Sequence, residues 1–149
     1  MDIPAKVEPS EKIVRAIFHP LNLTAKGELK SNVFRGPSGI DGISVLRLLY
    51  CSANFCKAHG KSIQNPPQKV FYGFAVIDAG EVSDIGASCE SSPLEGLPMH
   101  ADIVFGFVPV KNEPLPPEVA DKVQLLTKKA RFYKDPTPEE IPWEGDSLI

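Results

Sequence analysis

The sequence predicts an α+β fold: a mainly antiparallel sheet covered by two helices in a single domain. Three observations predict it. Two runs rich in β-branched and aromatic residues, 70–77 and 101–107, have the composition of central strands. Apolar residues recur at helical spacing near 46–59 and again from Pro117 onward. The resulting order of strands, helix, strands with a helical turn, and closing helix is neither regularly alternating nor all-β.

The elements follow from local signals. Residues 1–12 are polar, hold Pro4 and Pro9, and are expected to form a flexible arm. Ile13 to Phe18 forms a first strand, ended where Pro20 forces His19 into an extended conformation. From Glu28 to Phe34 the side chains alternate, with Leu29, Ser31 and Val33 on one side, which predicts a hairpin partner for that strand. Ile43-Ser44-Val45 is a short strand. Leu46, Leu49, Tyr50 and Ala53 then fall on one helical stripe that Gly60 is placed to end.

Asp78 with Glu81 has the form of an N-cap for a single helical turn that Gly86 stops, and Ala87 to Pro98 is expected to be a loop. The two apolar runs that flank this interval, 70–77 and 101–107, are expected to be neighbours in the sheet. The clearest helix begins at Pro117, with Val119, Val123, Leu126 and Ala130 on its inner stripe. Residues 135–149 are rich in proline and acid and are expected to be a flexible tail, leaving 13–134 as the domain.

Composition narrows the functional classes. The chain has 149 residues, 42% hydrophobic and 23% charged, which suits one globular domain. Net charge is −3, but five acids lie in the last fifteen residues, so residues 1–134 hold 16 basic against 14 acidic side chains. A near-neutral body lacks the basic face of a DNA binder, while an RNA site of a few nucleotides stays open. The N-terminal residues have neither the apolar core nor the cleavage pattern of a leader, and no apolar stretch approaches the roughly 20 residues of a membrane span. Three irregularly spaced cysteines suit reduced thiols, so a cytoplasmic location is expected.

Candidate chemistry is sparse. His100 and Asp102, two apart in a strand, share a face, and a carboxylate beside an imidazole can fix its tautomer for general-base work. His19 and Arg35 lie at the ends of the expected hairpin. With His100 they would suit metal-independent RNA cleavage or phosphotransfer, two imidazoles handling protons and a guanidinium gripping phosphate. The competing reading leaves His100 and Asp102 on the solvent face near a strand end, His19 in a turn before Pro20 and Arg35 on the surface, all without a chemical role. No metal site and no cofactor are expected: there is no Cys-x-x-Cys pair, and the glycines of 35–42 lack the lysine of a phosphate loop. In the tail, Trp143 and the terminal Ile149 are candidate anchors for a protein partner.

His19-Pro20, Gly27, Phe34-Arg35, Ile43-Ser44-Val45, Phe74-Ala75-Val76 and Pro98-Met99-His100-Ala101 together resemble a group of small uncharacterised bacterial proteins, over most of residues 13–131. The resemblance implies a bacterial cytoplasmic origin and no mechanism. The function expected is a small accessory or protein-interaction module, the alternative being the ribonuclease or phosphotransfer enzyme built on His19, Arg35 and His100.

Overall fold

The computed structural model describes residues 2–149, so Met1 of the expected arm lies outside the described residues. Six strands form one sheet, β1 (Lys12–Pro20), β2 (Ile43–Arg47), β3 (Lys69–Asp78), β4 (Ser88–Ser91), β5 (His100–Val104) and β6 (Arg131–Lys134), in the order β4-β5-β2-β1-β3-β6. Every neighbouring pair is antiparallel. Three α-helices accompany it: α1 (Ala53–Ser62), α2 (Ala79–Asp84) and α3 (Pro117–Lys129). The architecture is the expected α+β: α1 and α3 are the two helices foreseen, and α2 is the helical turn expected after Asp78.

The core has two halves because the long central strands are apolar on both sides. Ile13 and Ile17 of β1, Val45 of β2, Ala75 and Ile77 of β3 and Ile103 of β5 pack under Val123 and Leu126 of α3 and Val82 of α2. Val14 and Phe18 of β1, Leu46 of β2 and Phe71, Phe74 and Val76 of β3 face the other way, toward Cys56 of α1 and Leu148 of the C-terminal segment. Each half follows from period-two alternation along a strand, except that Phe71 joins Phe74 and Val76 through the bulge in β3 beside Gly73, where the pairing passes from Ile17↔Gly73 to Phe18↔Phe71.

Several expectations are corrected. The run 70–77 lies within β3, but the run 101–107 is strand only to Val104, and the two are not neighbours, since β2 and β1 lie between β3 and β5. Strand composition reports burial and says nothing of pairing; β3 spends its length on β1, from Lys12↔Asp78 to Pro20↔Lys69. Residues 28–34 do not form a hairpin strand. Val33 and Phe34 are both buried in a 3-10 turn, Ser31–Phe34, and adjacent buried side chains do not fit a one-sided strand. The helix expected over 46–59 starts later: β2 continues to Arg47, and α1 begins after Ser52, whose hydroxyl accepts the Phe55 N–H at 3.1 Å. Gly60 lies inside α1, where a Cβ would stand 2.6 Å from the Phe71 ring, so it permits close helix-to-strand approach instead of ending the helix. Part of the expected loop 87–98 is the edge strand β4.

Both described terminal segments are tied to the body. The Arg47 side chain, fully buried, donates to the Pro4 and Lys6 carbonyls at 2.6 and 3.2 Å and to both Glu11 carboxylate oxygens at 2.8 Å. The expected flexible arm is thus stitched to β2. The expected flexible tail is likewise docked. Lys57 on α1, fully buried, lies 2.9 Å from Asp135 Oδ2 and donates to the Thr137 and Pro142 carbonyls at 2.9 and 2.8 Å. Lys61 donates to the carbonyls of Pro138 and Glu140. Composition averages over these segments; they are held by backbone carbonyls converging on the buried Arg47 and Lys57 and by a few apolar side chains, Ile3, Trp143 and Leu148, packed on the core.

Candidate functional site

The site begins where two strands part. β1 and β2 pair only at Ile13↔Arg47 and Val14↔Leu46, after which β2 turns its partners to β5, from Ile43↔Ile103 to Leu46↔His100. Arg15 fills the opening. Its Nε donates to the Val33 carbonyl and its Nη1 to the Ser44 carbonyl, each at 2.7 Å. Burial pushes the Arg15 guanidinium down to about 10, which still leaves it a cation at neutral pH. Carbonyls satisfy its protons without cancelling its charge, for no carboxylate pairs with it among the described residues.

Beside this opening lies a cleft of about 660 Å³, a volume in the usual range for small-ligand sites. Its floor is β1, β2 and β5; one wall is α1, through Cys56, His59 and Ile63, and the other is the 35–42 loop. Gly42 lets that loop approach β5, since a Cβ there would meet Asp102 Oδ1 at 3.2 Å. Arg15, Arg35 and Lys69 line the cleft with His59 and His100, and Asp102 is the one carboxylate that does so.

His100 is buried and firmly oriented. Its Nδ1 sits 2.8 Å from Ser92 Oγ and 3.0 Å from the Ser92 carbonyl, while the Ser92 N–H donates back to the His100 carbonyl at 3.0 Å. A carbonyl only accepts, so this network assigns the proton to Nδ1 and leaves Nε2 as the acceptor. Nε2 has no hydrogen-bond partner among the described residues. The neighbour expected to fix the tautomer was Asp102. It shares the cleft-facing side of β5, as two-residue spacing requires, but makes no hydrogen bond to His100; Ser92 performs that task.

The other candidates divide. Arg35 lines the cleft from its exposed wall. His19 does not line the cleft; it stacks on Tyr72 with ring centroids 5.2 Å apart. His19, Arg35 and His100 therefore do not converge. Trp143 packs on Phe74, centroids 4.8 Å apart, and its backbone N–H donates to Asn54 Oδ1 at 2.7 Å. It anchors the chain's own C-terminal segment, while Ile149 is exposed.

Sequence reasoning passed over Arg15, Lys69 and His59 as part of this group. His59 sits three after Cys56 on one side of α1, a spacing the expected helix already contained. Burial lowers its pKa, and the charge of nearby His100 lowers it further. Among the described residues no group of three His, Cys, Asp or Glu side chains is placed to hold a metal ion, and no helix is long and apolar enough to cross a membrane. The chain matches no protein-family model, no curated protein and no solved structure, and the resemblance to small bacterial proteins is neither supported nor refuted by these comparisons.

Proposed function

We propose that the chain is an accessory binding module for a small anion, a phosphate- or carboxylate-bearing molecule held in the cleft between α1 and the 35–42 loop. One observation carries the reading: in a chain of net charge −3, a single cleft gathers three cations and two imidazoles against one carboxylate. Guanidinium groups grip phosphate and carboxylate bidentately, and Arg35 has no carboxylate partner among the described residues to compete for it. The acidic tail is engaged with α1 through the Pro142 and Glu140 carbonyls. Three free cysteines fit a reducing, cytoplasmic setting.

Titration calorimetry with inorganic phosphate and with a nucleoside monophosphate at low ionic strength tests this. Arg35→Ala should weaken binding at least tenfold, since a hydrogen bond to a charged group contributes about 1.5–3 kcal/mol. No binding at millimolar ligand, or equal binding by wild type and Arg35→Ala, would overturn the reading.

A second reading is favoured by the pinned tautomer of His100: acid–base chemistry on a bound phosphodiester, with His59 in the place expected for His19. Under it, His100→Ala abolishes turnover of an RNA oligonucleotide without abolishing anion binding.

A further inference from the structure

Outside the cationic end of the cleft, the start of α1 places two sulfurs in contact. Ser52 is the N-cap, so Cys51 occupies the position before the cap and Cys56 the fourth helical position, the pair that meets in a hydrophobic staple. Here both staple residues are cysteines, with Sγ to Sγ 3.6 Å. Cys51 is half-buried and its sulfur also lies 3.4 Å from the Arg47 carbonyl, whereas Cys56 is only 2% exposed. Cys89 is a free thiol away on β4.

We propose that Cys51 and Cys56 are a reversible dithiol–disulfide pair, with Cys51 the attacking sulfur and Cys56 the resolving one. The oxidant is a low-molecular-weight disulfide. The Cys51 thiolate attacks one of its sulfurs, forming a mixed disulfide and releasing one thiolate, which takes a proton from solvent. Cys56 then gives up its proton and attacks Cys51 Sγ, expelling the second thiolate. The protein's two thiols lose two electrons and two protons in all, and the small disulfide gains them as two thiols.

Contact geometry makes the second step local, since the sulfurs need to close by only about 1.5 Å to bond. Exposure makes the first step selective, because an external disulfide reaches Cys51 and not Cys56. The hydrogen bond from Cys56 holds the Cys51 thiol below its ordinary value despite burial, and the same contact with burial pushes Cys56 up, so Cys51 is the sulfur that ionises.

The test exposes the folded full chain to oxidised glutathione, followed by alkylation and peptide mapping. Wild type should lose two thiols as a Cys51–Cys56 cross-link that dithiothreitol reverses, with Cys89 still open to alkylation after denaturation. Cys56→Ser should accumulate one glutathione adduct at Cys51, and Cys51→Ser should leave Cys56 unmodified. Cys56→Ala, which puts a small apolar group in the buried position, repeats the trapping measurement if the serine variant unfolds. Equal adducts at Cys56 and Cys51 in the single variants, or oxidation of wild type without the cross-link, would overturn the proposal.

Discussion

Replacing Asp135 by alanine isolates the contact that docks the C-terminal segment. The change leaves the Lys57 ammonium in a place with no solvent exposure, facing the Thr137 and Pro142 carbonyls but no counter-charge. Removing one member of a buried ion pair costs about 3–5 kcal/mol, most of it the penalty of the charge left behind. For a chain of this size each kcal/mol lowers the melting temperature by about 2–4 °C, so Asp135→Ala should melt roughly 6–20 °C below wild type. The Asp135 carboxylate also accepts the Thr137 N–H at 3.1 Å, which adds to the loss. Urea unfolding gives the free energy, and limited proteolysis shows whether 135–149 is released before the body unfolds. Lys57→Met strands the carboxylate and both carbonyls, so it should destabilise comparably, and Lys57→Met/Asp135→Asn should cost less than the two single changes together. A loss under about 1 kcal/mol for Asp135→Ala, with the tail as protected as in wild type, would refute the view that this pair holds the segment.

Two further outcomes depend on pH. At Glu11 burial raises the pKa, but the Arg47 guanidinium and the Glu8 N–H more than offset it and the net shift is downward. A carboxyl held low in the folded state contributes stability above its unfolded value near 4.5 and loses it as pH falls through the lower folded value, so urea midpoints should drop with acid below about pH 4.5; Arg47→Met should be less stable at neutral pH and flatten that acid limb. His59 should titrate by NMR below 6.5, and His100→Asn, which removes the repulsive charge, should move it back upward while burial keeps it low; an unchanged His59 titration would show that the two rings do not sense each other.

Elements specified by near neighbours were legible in the sequence. α3 needed only Pro117, Glu118 and the stripe of Val119, Val123 and Leu126, all local, and α2 is held by Asp78, whose N–H donates to Glu81 Oε1 at 3.0 Å. Pairing across the sheet was not, because β6 comes to β3 through Gly73, where a Cβ would collide with the Tyr133 carbonyl, an encounter between distant residues. Within the site, the common side of His100 and Asp102 followed from strand parity, whereas parity does not separate His19 from Arg15, which lines the cleft where β1 and β2 part. Arg15 was invisible as a site residue, since nothing near it in the chain announces that β1 and β2 separate there. His59 already lay within the expected helix, but nothing near it in the chain shows that its side of α1 faces a cleft floored by β1, β2 and β5.

The carbonyls that satisfy Lys57 belong to residues 80 and 85 positions further along the chain. During vectorial synthesis α1 leaves the ribosome long before they exist, and an ammonium with no counter-ion resists desolvation. Consolidation of this layer must therefore await synthesis of residues 135–142, and nascent fragments ending before Asp135 should keep α1 loosely attached and open to chaperones.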